Sequence, residues 1–430
     1  MKKIISIITI VFLILFIVSC EKDEDFILLI DVSGLTYNEA LIRINADYIV
    51  EMKEVPTNRE YPNIVIGYEN SSYRVGTTPV LLVAVPPLGS QSVNTEMFEY
   101  TFDLGFLTGP NSINFDILRE SGVGGCDLGF PIALSGNEYM LVFGDTFSSV
   151  GSHGGFWNSN YMAISSDTDF TDGLTIDRLV TYPMGMIKPF AQGKHSQDIS
   201  DTLSSDMERE VTKIPTGGIT IGNNVYIFYM SIRTWDNWRV TYNQCVKASL
   251  DDLTNFVDVP SLRWYDHEAF NFGQIFPVKD PASEYIYLYS IPGGRNGGVV
   301  LSRVRVDDFE DRTKYEYYTS TGFVEGDAGL LMLKTNPRYI VGPSVSEICI
   351  YFNPYLNKWM LSYASGGRLG FRLSDTPVGP FGAYISIGNY PFYAALSGSP
   401  LFMDNGRKMY MITSQWLPIY QSKIIEIVFK

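Results

Sequence analysis

The sequence predicts an all-β protein: a five-bladed β-propeller preceded by a small Ig- or fibronectin-like β-sandwich. Three observations carry this reading. With 28 Tyr, 26 Phe and 38 Gly in 430 residues, the composition favours strands and tight turns over helices. Short apolar strands alternate with polar turns along the whole chain. After residue 110 a four-strand unit recurs at intervals of roughly 50 to 85 residues, the period of propeller blades.

The chain opens with an address. Two lysines precede an uncharged, largely apolar run, Ile4 to Val18, which ends in Val-Ser-Cys. The run is too short for a comfortable membrane span, and its flanks are those of a signal peptide. A cysteine directly after it resembles a bacterial lipobox. Residues 1–20 are therefore expected to be a lipoprotein signal, with Cys20 as the lipidation site. Residues 21–25, Glu-Lys-Asp-Glu-Asp, form an acidic tether that resembles an export signal to the outer face of the outer membrane. The formal net charge of −15 repels phosphate, which disfavours nucleic acid and suits a neutral substrate.

Residues 26–110 read as the small β-sandwich. Its strands would be FILLIDV, EALIRINA, NIVIGYE, VLLVAVP and EMFEYTFDL. No cluster of acids, Cys or His falls here, so a spacer role is expected. The cysteines beyond Cys20 are Cys126, Cys245 and Cys349, an odd number in apolar strands. They make neither a disulfide framework nor a zinc-ligand pattern, so no metal and no cofactor are expected. Cys126 has no motif histidine to activate it as a nucleophile; His153, His195 and His267 are scattered.

Residues 111–430 carry the repeat. The five second strands are GNEYMLVFGDT, GNNVYIFYMSI, ASEYIYLYSIP, LNKWMLSYAS and NGRKMYMITSQW. Each has a strand before it and another after it, and the first four units add a fourth strand. The fifth stops at its third because the chain ends. A ring needs a closing strand, and SINFDIL (Ser112 to Leu118) is predicted to fill that place by pairing with Lys423 to Val428.

In the first unit, Gly124 to Thr146 reads as a tight hairpin turning near Gly136. Asp127 and Asp145 lie equally far from the turn, so regular pairing puts their Cβ atoms roughly 5 Å apart. In a propeller the first strand starts, and the second ends, on the face where ligands usually bind. Both carboxylates therefore project at the mouth of the central funnel. Equivalent positions elsewhere offer Glu210, Arg233 and Trp235 in unit two, Gln274 and Arg295 in unit three, Glu347 in unit four, and Tyr393, Gln415 and Trp416 in unit five. Acids, amides, arginine and aromatic faces converging on one funnel suit a sugar. Glycoside cleavage needs one carboxylic acid to protonate the leaving oxygen and a second carboxylate as nucleophile or base. Side-by-side strands suggest a short separation and retention, whereas Glu347 across the funnel would supply the wider gap of inversion. The plainer reading makes Asp127 an Asx turn and Asp145 a strand-end cap.

The ordered series CDLGFPI, FGDTF, SNYMAISSDTDFTDG, TKIPTGGITIGNNVYIFYMS, SVSEICIYFNPYLNKWMLSY, SDTPVGPF and MYMITSQWLPIY resembles a bacterial propeller family over Gly122 to Lys430. The family was first catalogued as a domain of unknown function, and some members are endo-D-arabinanases. The resemblance implies that the aspartates of the DLG and GDT motifs, here Asp127 and Asp145, are catalytic. It also implies a substrate role for Glu347 and for funnel aromatics.

Two further motifs read as structure. SSDTDFTDG is acid-rich but lacks the EF-hand ligand pattern, and it sits where each unit carries a polar turn. IPGGRNGG (Ile291 to Gly298) lacks the Lys-Ser/Thr ending of a phosphate loop and reads as a loop that brings Arg295 to substrate. The sequence thus predicts a monomeric surface glycoside hydrolase acting inside arabinofuranose polymers. Two rivals remain: a glycan-binding lipoprotein without turnover, and a scaffold propeller with an apolar rim and a plugged channel.

Overall fold

The structure is a computed structural model. It describes residues 97–430 apart from 152–153, 196–209, 236–237, 389 and 391, together with the backbone of three strands nearer the N-terminus. The chain divides into compact units of residues 1–92 and 93–430. In the first, Leu28–Asp31, Val80–Ala84 and Ile64–Tyr68 form one antiparallel sheet in that order. The predicted strand EALIRINA, the signal segment, Cys20, the acidic tether and His153 lie outside the described residues.

The second unit is the five-bladed propeller. The innermost strands of its blades are Gly125–Ala133, Thr212–Ile221, Gln274–Lys279, Cys349–Asn353 and Tyr393–Leu396. Blade three carries an insertion: Gly322–Glu325 extends its sheet, and the helix Gly326–Thr335 packs against Glu316–Thr319.

The blades, including some that are not neighbours in the ring, meet through aromatic side chains near the axis. Phe130 of blade one meets Phe276 of blade three edge-on at 6.4 Å, Phe276 meets Tyr351 of blade four at 5.5 Å, and Tyr351 meets Phe402 of blade five at 6.4 Å. The Tyr351 hydroxyl donates to Pro131 O of blade one at 3.1 Å. Glycine lets blade two join this crowd. A Cβ on Gly218 would stand 2.3 Å from Ile132 Cδ1, and one on Gly217 would stand 2.8 Å from Ile275 O. Packed side chains thus fill the ring on this level.

Ring closure differs from the sequence expectation. The fourth strand of blade five is Phe98–Phe106, antiparallel to Gln421–Phe429 with Phe106 opposite Lys423 and Tyr100 opposite Val428. SINFDIL does not pair there; Phe115–Glu120 is a helix that buries Leu118. Polar anchoring explains why. Asn114 Nδ2 donates to Leu107 O and Leu174 O, and Asn114 Oδ1 accepts from Ile176 N. The segment that does close the ring alternates apolar and polar residues in sequence and buries Phe98, Thr101 and Phe102. Lys423 and Asp103 form a mostly buried ion pair across the two strands, and the Lys423 ammonium lies over the Phe106 and Phe392 rings. The strand EMFEYTFDL, assigned above to the sandwich, therefore belongs to the propeller.

Candidate active site

The predicted hairpin is present, with a distortion that makes the site. Cys126 pairs with Thr146, but Leu128 pairs with Phe143, so Asp127 faces Gly144 and Asp145 across an irregular ladder. Leu128 and Gly129 both adopt positive φ, 62° and 109°. Blade five takes up the backbone groups that this bulge displaces. Leu128 N donates to Ser414 Oγ and Ser422 Oγ donates to Leu128 O, both at 2.8 Å. Gly144 makes room for the carboxylate, since a Cβ there would lie 2.4 Å from Asp127 Oδ1.

A cavity of about 790 Å³ opens over the pair, lined by Asp127, Asp145, Trp157, Arg295, Tyr393 and Tyr420 with Phe147, Ile214, Trp235, Trp238 and Trp416. Four of the six tryptophans of the chain are in this wall. A volume of this size holds several sugar rings, and flat aromatic faces match their CH surfaces.

The two carboxyls live in different surroundings. Tyr393 OH donates to Asp127 Oδ2 at 3.1 Å, and the Tyr420 hydroxyl also stands beside this carboxyl. Burial pushes the Asp127 pKa up to about 6, held down in part by Tyr420, Tyr393 and the Arg295 charge. Asp145 is pushed further, to about 8, by burial and by repulsion from Asp127. Trp157 Nε1 donates to Asp145 Oδ1 at 2.8 Å, and Thr212 Oγ1 donates to the same oxygen. Near neutral pH the favoured state is thus Asp127 ionised and Asp145 protonated, a split that suits acid–base work.

Arg295 reaches the cavity from the Gly-rich loop of blade three. Its Nε and Nη2 both sit 2.8 Å from Glu347 Oε1. Its guanidinium lies 4.7 Å from the Trp238 ring centroid and 4.3 Å from that of Tyr393. Gln274 is buried and does not line the cavity; its Nε2 donates to Pro292 O and Gly294 O, which shapes the loop. Glu347 is likewise behind the wall rather than in it, and acts on the site through Arg295.

Other predicted residues divide. Tyr393, Arg295, Trp235 and Trp416 line the cavity; Glu210, Arg233 and Gln415 do not. Glu210 is buried among Ser231 and Tyr242, which donate to it, and Lys213. Gln415 donates to Leu417 O. Strand topology alone set these three at the funnel, but the side chains of Glu210 and Gln415 turn to neighbouring polar groups. Trp157, Trp238, Tyr420, Phe147 and Ile214 escaped the sequence reading. Trp157 and Trp238 come from stretches between blade strands, where no repeat position marks them. Cys126 is buried and its thiol is pushed up to about 12, chiefly by burial, so it is no nucleophile. The SSDTDFTDG acids cap turns: Asp167 accepts from Asp169 N and Thr175 N, and Asp169 from Thr171 N. Among the described residues no cluster of His, Cys, Asp and Glu is placed to hold a metal ion.

No curated protein matches the chain. Solved structures do. A candidate hydrolase from Bacteroides ovatus ATCC 8483 is 14% identical with a TM-score of 0.51, covering 76% of this chain and 90% of its own, which shows a shared fold. A family 117 glycoside hydrolase from Zobellia galactanivorans aligns at 13% identity and TM-score 0.43, over 78% of this chain and 91% of its own. The catalytic domain of a Coprinopsis cinerea GH62 alpha-L-arabinofuranosidase aligns at 11% identity and TM-score 0.42, over 76% and 95%. The decisive match is in the sequence itself: residues 114–425, nearly the whole propeller, fit the model of the family described as a domain of unknown function, DUF4185, and the chain belongs to that family.

Proposed function

We propose that the protein is a glycoside hydrolase that cleaves within arabinofuranose polymers of the D-arabinan type. Asp145 is the general acid that protonates the leaving glycosidic oxygen. Asp127 is the carboxylate that acts on the anomeric centre, directly or through water. The observation that carries this reading is the pair itself: a buried and a partly buried carboxyl on one bulged hairpin, with pKa values pushed apart to about 6 and about 8, at an aromatic-walled cavity.

The other groups fit the same chemistry. Positive charge builds at the sugar ring as the glycosidic bond breaks, and ionised Asp127 beside the ring stabilises it. Tyr393 fixes Oδ2 of that carboxylate. Trp235 and Trp416, both partly exposed at the cavity, offer stacking faces for further sugar units. The preference for furanose polymers, and a location at the outer cell surface through a lipid on Cys20, rest on the sequence resemblance described above.

The test is incubation of D-arabinan with wild type, Asp127→Asn and Asp145→Asn, with the products resolved by size. Wild type is expected to release mixed oligosaccharides. Each variant should lose roughly 100- to 10,000-fold in rate. An aryl arabino-oligosaccharide with a good leaving group should restore much of the rate of Asp145→Asn and little of that of Asp127→Asn. Binding of arabinan by wild type without any turnover would instead favour a glycan-binding protein.

A further inference from the structure

Trp157 does more than wall the cavity. Its indole N–H is one of two donors to Asp145 Oδ1. That bond requires one orientation of a long, half-buried ring, and a second layer of residues fixes it. The imidazole of His195 lies flat on the indole, with ring centroids 4.0 Å apart and an interplanar angle of 2°. Phe147 stacks on Trp157 as well, at 5.7 Å and 24°.

His195 is itself anchored. Its Nε2 is 2.9 Å from Ser159 Oγ, and Ser159 is fully buried. The same Ser159 Oγ accepts Gly193 N at 2.8 Å. His195 N donates to Val211 O at 2.9 Å, the residue before Thr212, the other donor to Asp145. Gly193 lies so close to Thr212 that a Cβ on it would stand 2.7 Å from the Thr212 Cα. One short segment, 193–195, therefore braces both hydrogen bonds to the carboxyl. Its backbone fixes Thr212 and its imidazole fixes Trp157.

We propose that His195 is a positioning residue for the reaction: by stacking on Trp157 it holds the indole N–H on Asp145 Oδ1, so that the proton of Asp145 is presented on Oδ2 toward the leaving oxygen. The inference rests on the reading of Asp145 as the acid. It is a role of shape rather than of charge. Burial keeps His195 below the ordinary imidazole range, so the ring is neutral at neutral pH. The charged group that faces Asp145 is Asp127. Loss of the indole donor removes an interaction that favours ionised Asp145, so the carboxyl should hold its proton to higher pH.

The experiment compares full-length wild type, His195→Ala and His195→Phe by two readouts. The first is turnover. On D-arabinan His195→Ala should lower kcat about tenfold with little change in KM, as expected for one misplaced hydrogen bond. Its alkaline limb should move to higher pH. With the activated aryl oligosaccharide the loss should nearly vanish, because little protonation is needed. His195→Phe keeps a flat ring on the indole and should restore most of the rate. The second readout needs no activity: the carboxyl carbon of Asp145, followed by NMR against pH, should titrate higher in His195→Ala and near wild type in His195→Phe. An unchanged Asp145 titration in His195→Ala would overturn the proposal. So would equal loss on both substrates, or a His195→Phe as impaired as His195→Ala. If Asp145→Asn retains wild-type turnover, the acid assignment fails and overturns the role of His195 in the reaction with it, even where the NMR shift shows that His195 orients Trp157 on Asp145.

Discussion

At the scale of single residues, burial keeps the Asp145 carboxyl protonated where solvent would ionise it. The proposed mechanism needs Asp127 ionised and Asp145 protonated, so kcat/KM should follow a bell with limbs near pH 6 and pH 8. Replacing Asp127 by Asn removes the repulsion on Asp145, and the Asp145 titration should move down; carboxyl NMR reads this. The same burial bears on stability. Folding raises the Asp145 pKa from 3.8 to about 8, so the folded state binds that proton more tightly. The resulting stabilisation is complete below the unfolded value and is lost as pH rises through the folded one. Asp145→Asn should therefore flatten the fall in Tm between about pH 4 and 8 while abolishing activity, the trade expected where a site is built against local stability. Calorimetry across that range gives the check.

At the scale of elements, the bulged hairpin of blade one is the unit that brings the two carboxyls together at the cavity. Gly144 is its most exacting position. Gly144→Ala would place a methyl against Asp127 Oδ1, where only 2.4 Å is available. The expected outcome is a drop in kcat with a change in Tm smaller than that of a core mutation, because the carboxylate and not the sheet must yield. Much of this hairpin was legible beforehand: two strands, the turn near Gly136, and two facing acids. The bulge was not, because Leu128 at positive φ is tolerated only through Ser414 and Ser422, which lie nearly 290 residues away in sequence. Likewise Glu347 and Gln274 were expected to meet substrate at the funnel, and no sequence pattern says that each meets Arg295 or its loop instead of the cavity.

At the scale of the whole molecule, closure of the ring joins the two ends of the propeller. Phe98–Phe106 completes the sheet that the last strand, Gln421–Phe429, leaves open. A chain lacking residues 1–92 should keep the propeller and its activity. One lacking residues 1–110 should aggregate or melt far earlier, because an unpaired strand edge and the aromatic face beneath it would be exposed. The Lys423–Asp103 pair sits in that closure. Asp103→Ala should cost about 3 kcal/mol by leaving a buried ammonium unpaired, whereas Lys423→Met with Asp103→Asn should cost less than the single change. Urea unfolding of the three chains compares them.

The sequence by itself determined the propeller and its blade count, and it placed Asp127 and Asp145 together on one hairpin. A repeated strand pattern is local, and an acid at both funnel-facing ends of one unit stands out against the other four. Only the tertiary structure decided which strand closes the ring, since Phe98–Phe106 alternates like any half-buried strand and its partner lies more than 300 residues away. It also decided which polar residues reach the cavity and which brace others, because that depends on side-chain direction between blades. Above all it set the carboxyls apart. Trp157, Thr212, Tyr393 and Arg295 come from four blades: burial and the Asp127 charge push Asp145 up against the hydrogen bonds of Thr212 and Trp157, while Tyr393 and Arg295 help to hold Asp127 lower.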